Sequence, residues 1–435
     1  MRCLAASLTC CCLTLTLLFG QEATEPEAPT PPPSVTFSKA SGLITEPISV
    51  EASCSDVAAV LYYTVDGTTP TLETALPYNG PITITKSTTV RMLAVVNDQV
   101  VAQDSAGYLF TERDLLDFNS NLPLVVVDSF GTNIDDNDRG NSQSEKRPVF
   151  AVFVDTNADS GRSKLRDSPQ FVGRAGMRVR GQTSTMFPKK QYSFETWDAT
   201  DEDTSVSLLG FPKESDWVLH APFSDKTLMR NVLAYRLFRE MGHYAVGCKY
   251  VELFHNDDGG KVGMEDYRGV YVLMEKIKRN KNRVAISKLV ETMTSEPEIT
   301  GGYIFKKDKG TWKDVNFQTE RLWNEFGFVD PDEPNDAQFK FLSEHMAEFE
   351  RVLVSRHFAD PDNGYAKYLD VASFIDVHIH VEMCRNIDGF RLSTYFHKDR
   401  EGKIVMGPVW DYNLSLGNTT MRGGEYPEGW YSESI

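Results

Sequence analysis

Between residues 35 and 112 apolar and polar positions alternate with a period of two. The alternation shows in "ISVEA", "AVLYYTVDG", "PITIT" and "TTVRMLAVV", with turn residues between. Short strands at this spacing predict a small all-β sandwich. From residue 123 the pattern is mixed. "LPLVVVDSF" and "PVFAVFVD" predict strands, and "AGMRVRGQTSTMFPKKQYSFETW" predicts strand, glycine-containing turn, strand. "SDKTLMRNVLAYRLFREMG" carries apolar residues at helical spacing (Leu228, Val232, Tyr235, Phe238, Met241), with Ser224 or Asp225 to cap its start and Gly242 to end it. "KYVELFHN" and "YRGVYVLMEKI" predict a strand pair. "AQFKFLSEHMAEFERVL" and "DVASFIDVHIHVEMCRN" predict two further helices. The second delivers the chain into "RNIDGFRLSTYFHKDREGKIVMGPVWDYNLSLG", a predicted β-hairpin with Asp388 before it and Asp411 after it. The chain stops at "EGWYSESI" without a terminal helix, so further C-terminal structure is expected to belong to this region.

Composition narrows the class. The 435 residues suffice for two or three domains with real cores. A formal net charge of −17 argues against nucleic acid as a partner, because a phosphate backbone needs a basic face. Residues 1–20 have one basic residue and then an apolar run, the pattern of a secretory signal peptide; an uncleaved anchor is the alternative. The expected location is therefore secreted, cell-surface or periplasmic. Residues 21–34 are proline-rich and acidic, an extended linker. Four of the seven cysteines fall in the signal segment. Cys54, Cys248 and Cys384 remain, enough for one bridge at most, so the core must carry the fold.

Three elements point to phosphate chemistry. The turn at Arg180 and Gly181, with Thr183 and Ser184, offers backbone N–H groups and hydroxyls to phosphate oxygens, and Lys190 on the following strand could reach the same oxygens. "GVYVLMEKI" supplies a strand for a nucleobase, with Glu275 to orient nearby charges. Asp388 and Asp411 match the needs of phosphoryl transfer, one carboxylate at the acceptor hydroxyl and one on a metal ion. Turn chemistry is the plainer account of two aspartates beside a hairpin.

Read together and in order, "RGQTSTMFPKKQYSF", "SDKTLMRNVLAYRLFREMG", "YRGVYVLMEKIKRNKNRVAI" and "NIDGFRLSTYFH…GPVWDYNLSLG" resemble the spore-coat CotH family of atypical protein kinases. "LYYTVDGTTPT…YNGPITITKSTTVRMLAV" resembles the immunoglobulin-like module of chitobiase-type and other secreted bacterial proteins. The resemblance implies a multidomain chain: a signal peptide 1–20, a linker 21–34, an all-β immunoglobulin-like accessory module 35–112, and an α+β two-lobed protein-kinase-like domain 123–435. It implies an ATP-dependent phosphotransferase, using Mg2+ or Mn2+, that acts on Ser or Thr hydroxyls of surface or secreted proteins. Asp388 takes the catalytic position, Asp411 the metal position and Lys190 the nucleotide-phosphate position.

The chain departs from the protein-kinase pattern at Ser393, where an asparagine metal ligand is expected five residues after the catalytic aspartate. Asn386 or Asn413 would have to substitute. No acidic partner for Lys190 is legible. A catalytically silent adhesion protein and a kinase-like fold doing adenylylation or glutamylation are the competing readings. Elsewhere, "DTNADSG" starts like a calcium loop but has Arg166 where the bidentate glutamate belongs, so it reads as a solvated turn. His378, His380 and Glu382 lack further ligands at metal spacing and read as helix surface or core.

Overall fold

The computed structural model describes residues 31–137, 144–310 and 314–434. The predicted signal peptide and most of the predicted linker lie outside them. No described helix is long and apolar enough to cross a membrane.

The first unit is all β. One sheet runs in the order Gly42–Ile44, Gln99–Phe110, Thr88–Val96, Val60–Thr64, Leu76–Pro77. Two strand pairs, Val35–Phe37 with Ala52–Cys54 and Ile48–Val50 with Ile82–Ile84, close over it. Val50, Ile84, Val90, Met92 and Tyr108 fill the space between. The long hairpin turns at Asn97 and Asp98, both at positive φ (48° and 61°), which matches the right-handed twist of its strands. This unit packs firmly against the rest. Arg91, only 1% exposed, pairs with Asp201 at 2.7 Å and donates to the Ala199 carbonyl at 2.7 Å, while Arg174 binds the same Asp201.

The second unit is a closed barrel of Leu124–Asp128, Arg147–Val154, Phe171–Val179, Tyr192–Thr196, Asp216–His220, Tyr267–Glu275 and Cys248–Asn256. The last strand returns to the first in parallel; all other pairs are antiparallel. Alternation sends Ala175, Met177, Val179, Phe194, Trp217, Leu219, Tyr271 and Leu273 inward. The other parity (Arg178, Ser193, Asp216, Val218, His220, Met274) therefore forms the outer face. Val218, Val272 and Met274 on that face join the core of the third unit.

That third unit contains the helices Arg230–Glu240, Asp336–Leu353 and Val371–Cys384 and a five-stranded sheet. The sheet order is Asn316–Gln318, Glu325–Asp330, Tyr303–Lys307, Thr394–Lys398, Ile404–Met406. The helix Asp336–Leu353 starts with a capping box between Asn335 and Gln338, and Val371–Cys384 with Asp370 accepting from the Ser373 N–H. Arg385, left-handed at φ 44°, stops the latter helix and turns the chain toward Asp388. The hairpin Thr394–Lys398 and Ile404–Met406 pairs as expected.

Two expectations need correction. The helix predicted from Ser224 or Asp225 begins at Arg230. Leu228 sits at φ 63°, outside it, and the buried stripe is Asn231, Ala234, Tyr235 and Phe238. Asp225 holds the approach, accepting from the backbone N–H of Thr227 and Arg230 at 3.1 and 2.8 Å. The strand–turn–strand around Gly181 contains a 3-10 turn, Thr183–Met186, so it is a broader loop than a tight hairpin. Cys54, Cys248 and Cys384 are all free thiols.

Candidate active site

Asp388 and Asp411 arrive at one place from the two ends of the hairpin. Asp411 is fixed through the helix Arg230–Glu240, and Asp388 by its own turn. The Asp411 N–H donates to Tyr235 Oη at 3.1 Å, and the next N–H, that of Tyr412, donates to Asn231 Oδ1 at 2.7 Å. The Asp388 N–H donates to Asn386 Oδ1 at 3.2 Å. Tyr412 Oη meets His380 Nδ1 at 2.9 Å, and His380 Nε2 meets the Ala234 carbonyl at 2.9 Å. A carbonyl only accepts, so Nε2 carries the proton and Nδ1 accepts from the tyrosine. Left-handed residues cluster in this segment: Arg385, Phe390 at φ 66°, Ser393 at φ 49° and Asp411 at φ 63°. Strain of this kind persists where surrounding contacts over-determine the backbone.

The carboxylates sense each other. Burial first, and then the charge of Asp388, pushes the Asp411 pKa up to about 6, while Arg180 pulls it down and Asp308 pushes it further up. Asp388 Oδ1 also accepts from Arg391 Nη2 at 2.8 Å. Arg180, half-buried at the end of the strand Phe171–Val179, lies over the Trp410 ring, 5.6 Å from its centroid. Burial pushes its pKa below the ordinary arginine range, with Tyr395 and Asp411 opposing. The result is a pair of carboxylates beside one half-buried guanidinium.

Among the described residues no three His, Cys, Asp or Glu side chains gather as a ready-made metal cage. The donor chemistry nevertheless suits a hard divalent cation. Asp388 and Asp411 are oxygen donors whose mutual repulsion such an ion would relieve.

A sequence model described as CotH kinase protein matches residues 177–433, well over half of the chain. The chain belongs to that family. A second model, the chitobiase/beta-hexosaminidase C-terminal domain, matches residues 39–103, within the first β unit. No curated protein matches the chain.

Within this CotH chain the other expected site residues divide. Gly181 is at φ 95°, and a Cβ there would collide with Ser184 Oγ, so the turn requires glycine. Ser184 Oγ accepts from Gln191 Nε2 at 2.7 Å and is held inside the loop; Thr183 is exposed at its tip. Lys190 does not reach the aspartates: its ammonium donates to the carbonyls of Thr185 and Phe187, both at 2.7 Å. Glu275 is 4% exposed, pairs with Arg283 at 2.9 Å and accepts from the Gly247 N–H at 2.8 Å. Its strand is paired on both sides, so that backbone is occupied by the barrel. Asn386, 3% exposed, spends its carbonyl on Asp388 and positions it. The Asn413 amide donates to Ser224 Oγ at 3.3 Å.

Sequence reasoning missed the strut joining the barrel to this site. His220 Nδ1 meets Gln191 Oε1 at 2.9 Å, and Asn231 Nδ2 meets His220 Nε2 at 3.2 Å. The amide donates, so Nε2 accepts and Nδ1 carries the proton. Burial, aided by the charge of Arg180, pushes the His220 pKa down to about 3, so the ring is neutral. The legible signal was Asn231, a polar residue within a helix whose neighbours three, four and seven positions on are apolar. Asp308, Arg391 and Tyr395 were also missed. Metal spacing at His378 and Glu382 carries nothing: Glu382 accepts from the N–H groups of Tyr431 and Ser432, and His378 stacks on Phe390.

Proposed function

We propose that this CotH chain is an exported Mg-ATP-dependent protein kinase, with the barrel and the helical unit as the two lobes of a kinase-like body. It would transfer the γ-phosphoryl group of ATP to Ser or Thr hydroxyls of surface or secreted proteins. The observation that carries the reading is the approach of Asp388 and Asp411, close enough for one to shift the other, beside Arg180.

In this reading Asp388 orients the acceptor hydroxyl and takes its proton as the phosphorus–oxygen bond forms. Arg391 holds the carboxylate in place. Asp411, with Asp388 beside it, is the residue that would hold magnesium or manganese. When bound, the ion supplies positive charge against the phosphate oxygens. Protein kinases pair a strand lysine with a helix glutamate ahead of this point. In this reading the strand Asp216–His220 and the helix Arg230–Glu240 would stand for that pair of elements, and the side chains that meet between them are His220 and Asn231. A neutral hydrogen bond would then do the structural part of the ion pair and leave the phosphates without that lysine.

Intact-mass analysis after incubation with Mg-ATP and Ser/Thr-containing protein substrates tests the reading. A phosphoryl addition with wild type, lost in Asp388→Asn, is the expected result. Addition of AMP would support adenylylation instead. No addition to any substrate or to the chain itself, with nucleotide demonstrably bound, would leave a binding protein.

A further inference from the structure

We propose that Arg180, and not Lys190, grips the phosphates of the nucleotide, with Lys276 as a second positive wall of the same trough. The inference rests on the nucleotide reading above and names the residue that replaces the missing strand lysine.

Arg180 continues the strand Phe171–Val179 by one residue, its N–H still donating to the Gln191 carbonyl at 2.9 Å. Parity puts it on the outer face with Arg178, because Ala175, Met177 and Val179 point into the barrel. That face looks at the helix Arg230–Glu240 and at Asp411. Among the described residues the Arg180 guanidinium has no ion pair and no side-chain hydrogen bond; its contact is the Trp410 face at 5.6 Å. The residue is half-buried and its nitrogens are not sealed in the interior, so they stand uncommitted and open to the oxygens of a ligand. Its planar fork matches two oxygens of a phosphoryl group.

The alternatives are otherwise engaged. Lys190 is spent on two carbonyls of its own turn. Lys189 donates to the Val270 carbonyl at 2.7 Å and lies over the Tyr271 ring. His220 is neutral and bonded on both nitrogens. Lys276 is different. It follows the strand Tyr267–Glu275 on the outer-face parity and is 55% exposed, and its contact is Asp216 at 3.9 Å, already shared with Lys146 and Lys278. Strand register sets Lys276 on the row of Asp216, Glu195 and Gly176, four residues along the same outer face from Arg180. Two cations on one side and the Asp388–Asp411 pair on the other suit a polyphosphate whose far end carries a divalent ion.

Thermal-shift and calorimetric titrations on the full chain decide it, with inorganic tripolyphosphate and Mg-ATP as separate probes. Wild type should bind both. Arg180→Met should weaken both by roughly 10- to 100-fold, the equivalent of one lost charge-assisted hydrogen-bond set. Arg180→Lys should lose less, keeping charge without the fork, and Lys276→Met should fall between. Lys190→Met should melt lower yet bind tripolyphosphate as wild type does. Should Arg180→Met fail to fold, the Arg180→Lys titration decides. Wild-type affinity in the Arg180 variants, loss in Lys190→Met alone, or no tripolyphosphate binding by wild type overturns the assignment. Arg180-dependent tripolyphosphate binding without any response to Mg-ATP would keep the anion site and remove the nucleotide reading.

Discussion

Replacing Asp411 with asparagine should stabilise the unliganded protein at neutral pH, the reverse of what a deleted active-site carboxylate suggests at first sight. The fold raises the Asp411 pKa from 3.8 to about 6, so the folded chain holds that proton more tightly than the unfolded chain. Wild-type stability from this group is therefore highest below the unfolded value. It falls as pH rises through the interval up to about 6 and is level above it. The interval corresponds to about 3 kcal/mol at about 1.4 kcal/mol per pH unit. The raised pKa already includes the opposing pull of Arg180, and solvent screening at this half-buried position trims the gain to about 1–3 kcal/mol in favour of Asp411→Asn at pH 8. Urea unfolding followed by tryptophan fluorescence, at intervals from pH 4 to pH 8, measures this directly. The variants should converge near pH 4 and separate above pH 6, and magnesium should narrow the gap by stabilising wild type alone. An asparagine variant no more stable than wild type at pH 8, or one with an unchanged pH slope, would refute the view that two repelling carboxylates face a common space.

Asp388→Asn should retain nucleotide binding in titrations while phosphoryl transfer falls by roughly 10²–10⁴-fold. Asn231→Ala leaves the Tyr412 N–H and His220 Nε2 unpaired in the interior; urea melts should show a loss of about 2 kcal/mol or more, with weaker Mg-ATP binding alongside. Gly181→Ala should cost about 1–3 kcal/mol in the same melts, from left-handed backbone and the collision with Ser184, and a neutral result would mean the turn relaxes without penalty.

The sequence disclosed the two aspartates because the elements that carry them are local. A capped helix, a left-handed stop at Arg385, a turn and a hairpin follow one another within a single stretch, and each has its own residue signature. Lys190 and Arg180 were both in view, within one motif, yet their roles depended on facts that no local pattern carries. One is strand parity, which sends Arg180 outward. The other is the closing of the Thr183–Met186 turn, which brings two carbonyls to the Lys190 ammonium. The His220–Asn231 contact was hidden for a further reason: a neutral histidine and an amide leave no charge pattern to read. Asp201 joins Arg91 across more than a hundred residues, so the firm seating of the first β unit was illegible, although its strands were plain.

Asp411 hangs from the helix Arg230–Glu240 by Tyr235 and Asn231, and the same helix is tied through the Ala234 carbonyl and His380 to Tyr412. Assembly of the site and docking of that helix are consequently one equilibrium. A ligand that favours the assembled pair must tighten the helix against the barrel by the same free energy, and anything that pries the helix away withdraws Asp411 and breaks the pair. The fold thereby offers a single point of control, away from the reacting atoms, at which the chain can be set on or off without any change to the residues that do the chemistry.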